Sequence, residues 1–157
     1  MIVVADTTPL NYLVLIGEIE LLPALYQSVL IPPEVHRELK HPDAPPAVRT
    51  WALILPAWCE VRSPVSAPDS TLNDLDAGER EAIQLALEAG VNILLMDESE
   101  GRQEALRRHL KVTGTLAVLE KAGQRGLIDF RSALDQLEQT NFRLSPSIRR
   151  EFLQRNP

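Results

Sequence analysis

Four acidic side chains, Asp6, Glu38, Glu79 and Asp97, stand where a carboxylate has chemical consequences. Asp6 and Asp97 each follow a short apolar run, Ile2 to Ala5 and Asn92 to Met96. Such runs predict strands buried on both faces, so each acid sits where a strand would leave the core. Glu38 lies on a helix permitted by Pro32-Pro33, and Glu79 lies in the first turn of the clearest helix in the chain. Carboxylates brought together repel one another unless a proton or a cation sits between them. A set of them without His or Cys suits a hard, oxygen-seeking ion such as Mg²⁺ or Mn²⁺. Phosphoryl chemistry uses such ions to activate water and to hold developing charge.

Each acid also has a purely structural reading. An acid at a strand end is common in any loop. Asp76 and Glu79 have the spacing of a capping box, in which both side chains satisfy free backbone N–H groups at a helix start. Glu38 taken alone reads as a solvated residue of an amphipathic helix, and Glu98 and Glu100 read as peripheral or water-mediated ligands at most. Thr8-Pro9 predicts a helix start, with Thr8 as N-cap and Pro9 at the first helical position. His36, His41 and His109 fit no metal spacing. Trp51 and Trp58 bracket an apolar helix and read as core or interface anchors. No Gly-rich phosphate loop is present.

The elements that must position these residues alternate in type. Strands are predicted at 2–5, 28–31, 92–96 and 111–113, with a short edge strand at 59–62. Helices are predicted over 9–16, 18–26, 34–40, 47–55, 77–89, 100–109 (capped by Ser99), 115–125, 131–139 and 146–154. Residues 63–73 read as a surface loop. The alternation predicts an α/β fold of three layers, α/β/α, with a central, mostly parallel sheet. In such sheets sites form outside the carboxyl ends of strands where strand order reverses. If the strands ending in Asp6 and Asp97 are neighbours, both carboxylates share one crevice. The 157 residues read as one domain, with 130–157 a helical extension of it.

The net charge of −6 argues at face value against a nucleic-acid partner. The charge is unevenly spread, however: residues 60–100 carry a net −8 and residues 101–131 a net +4. Acids that converge on cations are partly neutralised, so the formal charge misleads. A single cysteine, Cys59, allows no internal disulfide, which suits a reducing cytoplasm. No apolar run reaches the roughly 18 residues of a membrane span.

The pattern resembles the PIN domain, a family of metal-dependent nucleases that includes the VapC-type ribonuclease toxins of bacterial toxin–antitoxin pairs. The resemblance rests on four stretches in order. They are Val3-Val4-Ala5-Asp6-Thr7-Thr8, then Ile31-Pro32-Pro33-Glu34-Val35-His36-Arg37-Glu38-Leu39, then Gly78-Glu79-Arg80-Glu81-Ala82-Ile83-Gln84-Leu85-Ala86, and Ile93-Leu94-Leu95-Met96-Asp97. Leu75-Asp76-Ala77-Gly78-Glu79, Asp97-Glu98-Ser99-Glu100-Gly101-Arg102 and Val112-Thr113-Gly114-Thr115 are similar to a PIN-like bacterial subgroup. Two departures stand out. The third acid is Glu79 where Asp is more usual, which would shift its carboxylate outward. Leu95-Met96 replace the Thr often found shortly before the fourth acid.

The resemblance implies that Asp6, Glu38, Glu79 and Asp97 hold one or two Mg²⁺ or Mn²⁺ ions, with an activated water attacking an RNA phosphodiester in line. It implies that Thr8 donates to Asp6. It places Arg102 to contact the scissile phosphate, with pairing to Glu98 or another acid as the alternative. Arg107, Arg108, Lys111, Lys121 and Arg125 would either track an RNA backbone or form a solvated basic face. A cognate antitoxin, a homodimer built through the early helices and a cytoplasmic site of action follow from the same resemblance. The competing expectation is a PIN-fold binding or scaffold protein with little or no catalysis. A phosphotransferase using Asp6 as nucleophile is disfavoured, because haloacid-dehalogenase-like enzymes need a second Asp where Thr8 stands.

Overall fold

The computed structural model of the chain describes residues 1–67 and 69–157. Pro68, in the expected 63–73 loop, lies outside them. Five parallel strands form one sheet in the order β3-β2-β1-β4-β5. They are β1 (Ile2–Ala5), β2 (Ser28–Ile31), β3 (Cys59–Val61), β4 (Ile93–Leu95) and β5 (Lys111–Thr113). The chain steps outward from β1 through β2 to β3, then returns to the other side of β1 with β4. Strand order therefore reverses at β1, and β1 and β4 are neighbours, with Val4 opposite Leu94 and Ala5 opposite Leu95.

The unbroken apolar runs conceal an alternation that the packing makes plain. Val3, Ala5, Val29, Ile31, Ile93 and Leu95 point into one core, while Val4, Leu30, Leu94 and Met96 point into another. On the first face lie α1 (Thr7–Leu15), α2 (Leu21–Leu25), α3 (Pro33–Leu39), α4 (Pro46–Leu53), α7 (Thr115–Gln124) and α8 (Phe130–Glu138). The last helix, α9 (Pro146–Arg155), adds Phe152 and Leu153 to the edge of this core. On the second face lie α5 (Ala77–Ala89) and α6 (Ser99–Arg107). The result is a three-layer α/β/α fold with an all-parallel sheet. Truncating a fully buried residue at its centre, such as Leu94, would cost about 2–5 kcal/mol.

Several boundaries differ from the sequence expectation. Helix α1 begins at Thr7, and Asp6 occupies its N-cap position with extended backbone and no side-chain cap bond. Thr8 is therefore not the cap, and Pro9 is the third helical residue. Pro9 is tolerated there because the first N–H groups of a helix lack intrahelical partners in any case. The expected 18–26 helix shortens to Leu21–Leu25. Ser99 is the first residue of α6 rather than its cap, a position held by Glu98. The expected surface loop is anchored from within: Leu72, in a 3-10 turn at Ser70–Leu72, is fully buried, and Glu88 accepts the N–H groups of Val65 and Ser66 at 2.7 and 2.8 Å. Residues 130–157 are fastened to the rest by Phe130 and Leu134 in the core and by Arg155 on Glu120, and within the segment Phe130 stacks on Phe152 at 6.3 Å. Among the described residues, no helix is long and apolar enough to cross a membrane.

Candidate active site

The carboxyl edge of β1 and β4 is where the acids gather. The Asp6 N–H donates to the Leu95 carbonyl at 2.9 Å, which extends the β1–β4 pairing to the strand ends. The Asp6 carboxyl turns inward and is only 3% exposed. Burial raises its pKa from 3.8 to about 8; the Thr7 N–H opposes the rise, and the charges of Asp76, Glu38 and Glu98 add to it.

Glu79 reaches the same crevice from α5. Its backbone N–H donates to the Asp76 carboxylate at 2.8 Å, so Asp76 caps the helix as the spacing predicts. The Glu79 side chain is buried at 6% exposure and does not turn outward. Burial, then Asp76 and Asp6, push its pKa up to about 8. Gly101 accommodates the extra length of Glu79 relative to Asp: a Cβ there would meet Glu79 Oε2 at 3.2 Å and Met96 Sδ at 2.5 Å.

Glu38 is half-buried on α3, which packs against α5. Its Oε2 accepts the Thr7 hydroxyl. Burial raises its pKa against the lowering effect of Thr7, with Asp76 adding to the rise. Gly78 leaves the room Glu38 occupies, since a Cβ would lie 2.6 Å from Glu38 Oε1.

Asp97 is held differently. The N–H and hydroxyl of the fully buried Thr115, the first residue of α7, both donate to it at 2.9 and 2.6 Å. Burial still raises its pKa, and Arg102 works in the opposite direction. A Cβ on Gly114 would strike both Asp97 Oδ1, at 2.7 Å, and Arg102 Nη1, at 2.8 Å.

Asp6, Glu38 and Glu79 thus share one field of repelling charge, and Asp97 stands on the adjoining wall. Glu98 links the two, since its charge acts on Asp6, Glu79 and Asp97. Thr8 does not serve Asp6 as expected: its hydroxyl donates to Glu98 at 2.5 Å, while that of Thr7 donates to Glu38. Glu100 faces a separate recess with Asp74 and Glu104. Arg102 is half-buried and donates to the Met96 carbonyl at 3.3 Å. Among the described residues it forms no ion pair with Glu98.

The basic residues that follow do not converge on this edge. Arg107 and Arg108 both pair with Glu104 on their own helix. Lys111 opens β5 at the opposite edge of the parallel sheet. Lys121 lies over the Tyr26 ring at 4.9 Å. Because α7 runs away from the acids at ~1.5 Å per residue, Lys121 and Arg125 are carried to its far end. Of the two readings of this block, these positions fit a solvated basic face better than one that tracks RNA.

Thr7, Thr115, Gly78, Gly101 and Gly114 are the site residues that the sequence reading did not assign. Each of the three glycines marks a close approach of a carboxylate from a distant part of the chain, so the sequence alone carried no signal for them. The all-oxygen donor set fits a hard divalent cation, and the raised pKa values of Asp6 and Glu79 mark negative charge that a cation would offset. As the side chains stand, no three His, Cys, Asp or Glu among the described residues form a ligating group. Thr7 and Thr115 hold Glu38 and Asp97 to either side.

No curated protein and no solved structure gives a significant match to the chain. The family model DUF3368, described as a PIN domain, matches residues 2–156. PIN domains are generally nucleases and typically use divalent metals. With a matching model over nearly its whole length and the reversal of strand order beside its acids, the chain belongs to the PIN-domain family.

Proposed function

We propose that the protein is a metal-dependent endoribonuclease. The observation that carries this reading is the gathering of Asp6, Glu38 and Glu79 beside Asp97 at the β1–β4 edge, where burial and mutual repulsion leave Asp6 with a pKa of about 8. Asp6, Glu38, Glu79 and Asp97 would hold one or two Mg²⁺ or Mn²⁺ ions. Bound there, such ions would make water nucleophilic near neutral pH and offset charge on a phosphodiester.

The chain's own residues do the positioning. Thr115 fixes the Asp97 carboxylate from two donors, Thr7 fixes Glu38, and the Asp76 cap fixes the start of the helix that presents Glu79. Arg102, beside Asp97, offers a guanidinium to a phosphate oxygen. In the cell we assign the protein to the cytoplasm as the toxin of a toxin–antitoxin pair, working as a homodimer with a cognate antitoxin as partner.

Cleavage of single-stranded RNA with Mg²⁺ or Mn²⁺ tests the reading. Wild type should cut, and both chelation and Asp6→Asn should abolish cutting. Absence of metal-dependent cleavage by folded wild type would refute it. That result would favour a second reading, a PIN-fold binding protein with little catalysis. One observation favours this alternative: as the side chains stand, no three acids among the described residues form a ligating group.

A further inference from the structure

A groove of about 800 Å³ opens from the acids along the first turns of α1. Its lining includes Thr8, Asn11, Tyr12, Asp97, Asn141 and Arg143. It shares Asp97 with the candidate active site, so the two adjoin at that residue. Its volume is that of a small-ligand pocket, enough for a nucleotide.

The far wall is built by the segment between α8 and α9, and it is fastened in place. Tyr12 donates to Asn141 Oδ1 at 2.7 Å, and its ring meets Phe142 edge-on at 5.0 Å. Thr140 Oγ1 donates to the Leu137 carbonyl at 2.6 Å and accepts the Phe142 N–H at 3.1 Å. Phe142 and Leu144 pack on the core. Arg143, between them, is exposed, and among the described residues it has no ion-pair partner. It is also the one Lys or Arg among the described residues lining the groove, whose other end carries Asp97 and Glu98. Tyr12 feels both ends: Asp97 and Glu98 raise its pKa and Arg143 lowers it, after the larger effect of burial.

We propose that this groove seats the nucleotide next to the scissile phosphodiester of a single-stranded RNA, with Arg143 holding its phosphate. The identity of the ligand rests on the nuclease reading. The basic block at 107–125 does not line the groove, so beyond Arg102 the cation that a strand crossing the acids meets there is Arg143. Tyr12 is a positioning residue, acting through Asn141 and Phe142. The half-buried Asn11 offers an amide donor and acceptor to a base, and the exposed Asn141, whose Oδ1 accepts from Tyr12, offers its amide donors.

The test uses the full-length chain and a fluorescein-labelled single-stranded RNA ten-mer. Binding is read by anisotropy in an Asp6→Asn background, which prevents cleavage, over a series of salt concentrations. Adding Arg143→Ala should weaken binding about tenfold and reduce the salt slope by about 0.7, the value for one phosphate contact on a single strand. Arg143→Lys should recover most of the slope, and Arg125→Ala should change neither quantity. In the cleaving protein, Arg143→Ala and Tyr12→Phe should raise KM with kcat nearly unchanged. Unaltered affinity and slope in Arg143→Ala, with RNA bound and cleaved by wild type, would overturn the groove assignment and leave the nuclease reading intact. Arg143-dependent binding by a wild type that does not cleave would support the groove and count against the nuclease reading. No RNA binding in any arm would overturn the groove.

Discussion

Asp6 and Asp97 close neighbouring parallel strands at the same edge of the sheet, yet their surroundings are opposites. Asp97 receives an N–H and a hydroxyl from Thr115 and has Arg102 nearby. Asp6 is almost fully buried, faces other acids and is left with the Thr7 N–H. Two carboxylates that look equivalent along the chain therefore stand in different electrostatic surroundings. Asp97 is a group the protein has already satisfied and aimed. Asp6 is a group whose charge the protein alone does not balance, the condition in which a bound cation has most to offer.

The contrast can be broken most forcefully by removing the charges. Asp6→Asn and Asp97→Asn should each lower RNA cleavage by about two to three orders of magnitude. Their effects on folding should diverge. Asp6→Asn, assayed by denaturant unfolding without metal at pH 8, should stabilise the protein by about 1–2 kcal/mol, because it removes first the cost of burying the charge and then its repulsion by neighbouring acids. Asp97→Asn should not stabilise it, because the charge-assisted bonds from Thr115 are weakened.

A pH series sharpens the same point. Asp6 has a folded pKa of about 8, above its ordinary 3.8, so between these values the folded state binds more protons than the unfolded one. Metal-free stability should therefore be fullest at acid pH, fall as pH rises toward 8, and level off above it. The slope from a single such group is at most about 1.4 kcal/mol per pH unit. Asp6→Asn should make the fall shallower, with Glu79 supplying the remainder, and Asp97→Asn should leave most of it. A stability that rises from pH 5 to pH 8 in the wild type would contradict this account.

Smaller changes test how Asp97 is aimed. Thr115→Val removes the hydroxyl but keeps the N–H, and should cost about 1–2 kcal/mol in stability and roughly tenfold in cleavage. Thr7→Val, which frees the half-buried Glu38, should cost less than about 1 kcal/mol and lower cleavage a few-fold. If Thr7→Val instead raised activity, the hydroxyl would be holding Glu38 away from its working position.

Much of this arrangement was legible in the chain because of how parallel sheets are built. Strands covered on both faces read as unbroken apolar runs, and Ile2 to Ala5 and Ile93 to Leu95 are such runs. An acid after each suggested a shared crevice, and the β1–β4 pairing supplies the adjacency. The cap at Asp76 was equally plain, since a capping spacing acts within one turn. What stayed hidden depends on contacts between distant segments. The bonds from Thr7 to Glu38 and from Thr115 to Asp97 join residues 31 and 18 positions apart. The glycines at 78, 101 and 114 acquire meaning only from the carboxylates placed against them. The direction of α7 removed Lys121 and Arg125 from the site, and composition carries no trace of that direction. The tether between Tyr12 and Asn141 spans 129 positions and brings the C-terminal segment to the acids.

The central claim, that these carboxylates act together as one cation site, is tested most directly by calorimetric titration of Mn²⁺ at pH 7.5 in buffers of different ionisation enthalpy. Wild type should bind Mn²⁺ and release close to one proton or more on binding, because Asp6 and Glu79, both with pKa values near 8, must ionise to coordinate. Asp6→Asn should bind at least about tenfold more weakly and release fewer protons. Equal affinity and equal proton release in the two proteins would contradict the account.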